Sequence, residues 1–272
     1  MTAPKTKVLL VVGTVLLFVL LFIAPKIASP EKEQSKKMQV AEASNLNTDA
    51  TIDVYVNQAA KNLDAETKKS FDKSRLAKNN DSVALFWDKL KRPDIAAYYM
   101  EEKAKQNNKA DSWFKAGNRY YYAVQFCQDQ TEVPVLYTSA MRCFTKGLKL
   151  EPNDLDAKIM LASCYVEGSN SPMEGVNKLR EIEKTDSNNV KLQLTFAFFS
   201  LKSNQMDKAI RRFNKVLMVD SAYIEAYLHL ADAYERQGET DKTIAALEKY
   251  ANKTDDVTAR VEINKYIQQL KK

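Results

Sequence analysis

Residues 223–256 read YIEAYLHLADAYERQGETDKTIAALEKYANKTDD. Ala226, Tyr227, Leu230, Ala231 and Tyr234 recur at the spacing that gathers small and large apolar groups on one face of a helix. Gly238 interrupts that run, and polar Glu239, Thr240 and Asp241 follow it as a turn. A second amphipathic run then carries Ile244, Leu247 and Tyr250. The stretch predicts two helices joined by a tight turn.

The same unit recurs upstream. A step of 34 residues places Ala209, Ile210, Phe213 and Leu217 under Thr243, Ile244, Leu247 and Ala251, and Phe196 and Ala197 under Leu230 and Ala231. Before that, Lys158-x2-Leu161-Ala162-x2-Tyr165 mirrors Tyr227-x2-Leu230-Ala231-x2-Tyr234, with Gly175, Leu179 and Ile182 in its second helix. Further back, Trp113-x2-Ala116-Gly117-x2-Tyr120 is the clearest first helix, completed by Ala140-x3-Phe144-x2-Gly147 and closed by Pro152. Asp81 to Asn107 reads as a degenerate first copy, with Pro93 suited to a first helical turn because its missing N–H has no intrahelical partner there.

This pattern resembles the tetratricopeptide repeat: Trp-x2-Leu-Gly-x2-Tyr, then Ala-x3-Phe, then Pro, on a 34-residue period. The resemblance covers Lys109 to Asp255 and departs from the family pattern in places. Gln193 and Ser200 replace aromatics, and Ser187, Ser221 and Asp255 replace the closing Pro. It implies an all-α α-solenoid, in which small residues let helices approach and large ones fill the gaps between neighbouring hairpins. Six Gly, seven Pro and little β-branched alternation agree with an all-helical chain.

The expected organisation is a membrane anchor with a short basic tail over residues 1–28 and a flexible linker over 29–50. An N-terminal helical cap follows over 51–80. The solenoid of about four units, the first degenerate, occupies 81–256, with an insertion near 124–136, and a capping helix ends the chain over 257–272. The anchor rests on the unbroken apolar run Val8–Ala24, VLLVVGTVLLFVLLFIA, which as a helix is long enough to enter the usual range for a span. A cleaved signal peptide is the rival reading, but Lys26 stands at -3 of a bond after Ala28, and Pro25 follows Ala24. Lysines flank both sides of the run, so their count does not decide orientation. The short basic N-tail favours a single-pass protein of a bacterial inner membrane with its folded part in the periplasm.

The net charge of +6 is concentrated in the first residues, where Lys5, Lys7, Lys26, Lys32, Lys36 and Lys37 outnumber Glu31 and Glu33. The remainder is nearly balanced, which argues against a nucleic-acid binder and assigns the basic residues to the membrane boundary. In the cap, Ile52, Tyr55, Val56, Ala59 and Leu63 form one stripe, and Phe71, Leu76 and Ala77 a weaker one. At the other end, Val257, Val261, Ile263, Ile267 and Leu270 form the apolar face expected of a terminal cap. The insertion is apolar, with Phe126, Cys127, Val133, Pro134 and Val135, and either is tolerated between helices, folds back on the groove or meets a partner.

No catalytic constellation is present. The chain has one histidine, His229, so any His-dependent triad or metal set has only that residue to use. Cys127, Cys143 and Cys164 have no C-x-x-C spacing; Cys143 and Cys164 fall in neighbouring units, where either a buried thiol or a bridge fits. The glycines are isolated, so there is no phosphate-binding loop. No cofactor, metal or small-molecule substrate is indicated.

What the resemblance implies about function is a concave groove, lined by the first helices, that takes an extended peptide or a helix of a protein partner. Register places Phe114, Lys115, Asn118, Tyr121 and Tyr122 there from the Trp113 helix. The next copy gives Ile159, Met160 and Ser163, then Lys191, Leu194, Thr195 and Phe198, and the last Leu228, His229, Asp232 and Arg236. Met160, Ser163 and Thr195 break the Lys/Asn pattern of a carboxylate clamp. Two functions stay open: a membrane-tethered adaptor with an open groove, or a permanent structural subunit of a membrane complex with a self-filled one.

Overall fold

The computed structural model describes residues 48–76, 79–127 and 129–272. The anchor expected over 8–24 and the linker up to residue 47 lie outside the described residues. Among the described residues there is no strand, and no helix is long and apolar enough to cross a membrane. The described chain forms two compact units, divided between Leu192 and Gln193.

The first unit opens with α1 (Thr48–Lys61) and α2 (Ala65–Leu76), so helix begins inside the expected linker. Asp64 starts α2 by accepting hydrogen bonds from the Glu66 and Thr67 N–H groups at 3.0 and 2.9 Å, and from the Thr67 hydroxyl at 2.6 Å. The Thr67 bonds hold its carboxyl below the usual carboxylate range. Hairpins follow: α3 (Asn80–Lys89) with α4 (Pro93–Asn107), α5 (Ala110–Ala123) with α6 (Val133–Leu150), and α7 (Leu155–Gly168) with α8 (Pro172–Thr185). α1 packs on α4 and α6, with Val56 and Ala59 buried, whereas α2 touches α3. Phe71 of α2 lies 5.5 Å from Phe86 and 5.3 Å from Trp87, edge-on to the indole.

The insertion is not a loop on a groove. Val124–Phe126 forms one 3-10 turn, and α6 starts at Val133, with Pro134 in its first turn where no N–H is needed. Val133, Leu136 and Tyr137 are buried, so most of the apolar insertion extends α6 into the core. Glycines let the helices close in. A β-carbon on Gly147 would lie 2.3 Å from the Phe114 ring, and one on Gly175 would lie 2.4 Å from the Ala162 carbonyl oxygen. A polar knot ties three helices: the Arg142 guanidinium donates to both oxygens of buried Glu101 at 2.9 and 2.8 Å, and the Tyr120 hydroxyl donates to the same carboxylate at 2.9 Å.

The second unit holds most of α9 (Val190–Lys202), then α10 (Met206–Val219), α11 (Glu225–Arg236), α12 (Thr240–Lys253) and α13 (Val257–Leu270). Gly238 breaks the chain between α11 and α12 at φ 75°, a left-handed value that an L side chain resists. From α3 to α12 the described chain contains five helical hairpins, with α1 and α2 before them and α13 after them.

Two expectations about apolar faces are corrected. Leu76 is exposed, because α2 turns only Phe71 inward. Val257 and Val261 are exposed, because α13 packs on α12 through Ile267 at its other end. No disulfide joins Cys143 or Cys164, both of which are buried; burial, followed by Glu167, pushes the Cys164 thiol up.

Candidate partner-binding face

In the second unit the expected positions converge on one aromatic cluster. His229 of α11 lies parallel to Phe213 of α10, with centroids 5.1 Å apart and planes at 20°. Phe198 of α9 stands edge-on to His229 at 4.8 Å and to Phe213 at 5.6 Å. Phe213 is buried, while Phe198 keeps 40% of its surface exposed. Burial holds the His229 imidazole below its ordinary pKa, against the smaller opposing pull of Asp232 and Glu225, so the ring is neutral at neutral pH. One turn on, Asp232 accepts from Arg236 at 3.0 Å. Leu194, Thr195 and Leu228 are half-buried around this cluster's helices.

Gln193, which stands where the repeat expects an aromatic, is buried and accepts from the Arg212 guanidinium at 2.8 Å. That guanidinium also lies 4.4 Å from the centre of the Phe196 ring. The missing aromatic is therefore replaced by an amide and a cation from the next helix, an exchange no local spacing signals.

In the first unit the expected positions do not form one open face. Lys115 is exposed and pairs with Asp111 at 2.7 Å. Phe114 packs over Gly147, so it serves the hairpin core. Asn118 is half-buried. The Tyr121 hydroxyl donates to Glu167 at 2.6 Å, and its ring stands edge-on to Tyr137 at 6.0 Å and to exposed Tyr122 at 5.5 Å. Burial first, and then the Glu167 charge, pushes the Tyr121 and Tyr137 phenols up. Ile159, Met160 and Ser163 are buried, and the Ser163 hydroxyl donates to the Ile159 carbonyl at 3.0 Å. These three offer a partner no surface, because α7 turns them into its own packing. Lys191 pairs with Asp156 at 3.1 Å. Glu167 joins Tyr121 without any sequence signal, since 46 residues separate them.

Among the described residues no group of His, Cys, Asp and Glu side chains is placed to hold a metal ion. Cys127 is half-buried, and burial with the nearby Glu132 and Asp94 charges pushes its thiol up to about 11. It is a protonated, poorly nucleophilic sulfur.

The helices α9–α11 carry this geometry, and the chain matches the tetratricopeptide repeat family model over residues 200–262, from the end of α9 into α13. No curated protein sequence matches the chain. Solved structures of tetratricopeptide-repeat (TPR) proteins resemble it at the level of fold. A TPR protein from Parabacteroides merdae is 14% identical, with 88% of this chain and 87% of that one covered and a TM-score of 0.50. A TPR protein from Thermus thermophilus is 18% identical over 69% of this chain and 97% of its own, with a TM-score of 0.46. YrrB, described as a TPR protein with an unusual peptide-binding site, is 16% identical over 74% of this chain and 98% of its own, with a TM-score of 0.42. The described residues are all-α, with a fold similar to that of TPR proteins.

Proposed function

We propose that this protein is a membrane-tethered TPR adaptor. A peptide or helix of a partner protein docks on the α9–α11 face of the second unit. One observation carries the reading: Phe198 presents 40% of its surface while Phe213 and His229 hold its ring in place. A pre-positioned aromatic with an exposed edge supplies contact area at little ordering cost, which is what anchoring residues of an interface provide. Leu194 and Leu228 add half-buried apolar surface, and the Asp232–Arg236 pair adds a polar border. The tether is the apolar run Val8–Ala24. We assign the anchor to a bacterial inner membrane, with the repeats in the periplasm.

A second reading, a permanent structural subunit, is favoured by the burial of Ile159, Met160 and Ser163 at positions that register assigns to the groove. A photo-crosslinking residue at Phe198 in cells separates the two. A single abundant adduct with another protein, lost on crowding the site with Leu194→Arg, supports the adaptor and reports its compartment. Adducts only within the chain itself overturn it in favour of the subunit.

A further inference from the structure

The first unit holds a recess of about 260 Å³ between its first four helices. Val56 of α1, Phe71 and Arg75 of α2, Asn80 and Val83 of α3 and Glu102 of α4 line it. Val56, Phe71 and Val83 are buried, so they supply an apolar wall with one aromatic ring. Two polar groups there are left over by the fold. The Asn80 side-chain nitrogen is buried and has no hydrogen-bond partner, which is destabilising for an amide donor. It is not needed as a helix cap, because the neighbouring Asn79 side chain accepts from the Asp81 and Ser82 N–H groups at 3.0 and 3.4 Å. Arg75 lies over the Phe71 ring, 5.6 Å from its centre, and among the described residues no carboxylate pairs with it. The ring positions the guanidinium without neutralising its charge.

These groups define their complement. An unneutralised guanidinium takes a carboxylate through two parallel hydrogen bonds. Glu102 does not supply it, since it pairs with Lys105 at 2.9 Å, and its charge disfavours a second anionic group in the recess. The Asn80 donor takes a neutral acceptor such as a carbonyl oxygen, and the Phe71 wall takes an apolar group. Water satisfies an amide donor but neither the charge nor the ring. The volume lies just under the roughly 300–1,000 Å³ of pockets for drug-sized ligands, which sets the occupant at the size of about one amino-acid residue.

We propose that this recess binds a monocarboxylate that carries a carbonyl and an apolar side group, with Arg75 holding the carboxylate and Asn80 the carbonyl. A free acylated amino acid and the last residue of a peptide present the same chemistry. Of the twelve residues of α2 only Phe71 is buried, so an occupant bridging Arg75 and Asn80 also fastens α2 to α3. The site belongs to the first unit and is independent of the α9–α11 face.

The test is calorimetric titration of the full chain in detergent micelles with N-acetylphenylalanine and with its neutral amide. The expected result is that the acid binds and the amide binds about ten-fold more weakly. Arg75→Gln should weaken the acid about ten-fold and Asn80→Ala about five-fold. Arg75 is exposed and the Asn80 nitrogen is unbonded, so neither change should lower the melting temperature. Arg75→Lys keeps the charge and should recover part of the affinity, which a folding defect would not allow. A tetrapeptide ending in phenylalanine separates the two sources. Binding at least as tight as that of the acid identifies a peptide terminus, exclusion identifies a free small acid, and either result keeps the site. No binding of the acid at millimolar concentration overturns the inference. Equal binding of acid and amide overturns it by removing the role of Arg75. Binding undiminished by both Arg75→Gln and Asn80→Ala places the ligand elsewhere and overturns the site.

Discussion

His229 stacks on Phe213, 5.1 Å between ring centres and nearly parallel, and the contact joins α11 to α10. Phe198 from α9 completes the group edge-on. One side of this cluster is core and the other is surface, so its members separate stability from binding.

Phe213→Ala removes a fully buried ring and should cost about 3–5 kcal/mol of unfolding free energy. Phe198→Ala loses an edge contact from a part-exposed ring and should cost about 1 kcal/mol. Urea denaturation followed by near-ultraviolet circular dichroism measures both. On the proposed function, Phe198→Ala should abolish partner capture in a protein that is still folded. A large stability loss from Phe198→Ala would make the ring structural.

Stability should fall on mild acidification, and His229 should account for part of the fall. Burial holds its pKa below the ordinary 6.5 in the folded chain. Just below that ordinary value the unfolded chain binds a proton that the folded chain refuses. The contribution is therefore complete above 6.5, is lost as pH falls below it, and stops changing once the folded imidazole also protonates. Because the chain has a single histidine, melting curves of the parent and His229→Gln across this range isolate the effect, and the imidazole NMR signal reports the folded pKa directly. A parent and variant with the same pH slope would show that the ring is solvated.

The repeat was legible in the sequence because its packing is local and periodic. Ala162, Ala197 and Ala231 are buried where hairpins close in, and Tyr120, Phe144 and Phe213 are buried where gaps need filling. What was not legible depends on partners far along the chain. Pro134 belongs to the stretch expected as an insertion, yet it sits in the first turn of α6, and only the packing of Val133 and Leu136 reveals the longer helix. Ile159 and Ser163 occupy groove register but are covered by their surroundings, which register does not encode. Leu76, Val257 and Val261 complete apolar stripes that the fold leaves uncovered, because periodicity predicts a face and not its occupant.

The two kinds of close approach should differ in their tolerance of a methyl group. On Gly175 the new carbon would lie 2.4 Å from the Ala162 carbonyl oxygen, part of a helix backbone that cannot swing aside. On Gly117 it would lie 3.1 Å from the Phe144 ring, which can give slightly. Gly175→Ala should destabilise by about 1–3 kcal/mol, and Gly117→Ala should fall at or below the bottom of that range. Denaturant midpoints of the two variants check the order, and a reversed order would show that α7 and α8 adjust more readily than the ring.

The Glu101–Arg142 pair tests whether a buried charge stabilises this fold or only constrains it. Glu101 is 1% exposed, and Arg142, 41 residues away, supplies two hydrogen bonds while Tyr120 supplies a third. Arg142→Met leaves the carboxylate buried without its cation, which should cost about 3–5 kcal/mol. Tyr120→Phe removes one bond and leaves the cation in place, so about 1–3 kcal/mol should be lost. The double variant Glu101→Leu with Arg142→Met removes both charges and their desolvation, and should recover most of what Arg142→Met alone loses. Urea unfolding of the full cycle gives the coupling directly. A double variant no more stable than Arg142→Met would mean that Tyr120 and Ser139, left without the carboxylate and guanidinium they face, contribute the larger share of the cost.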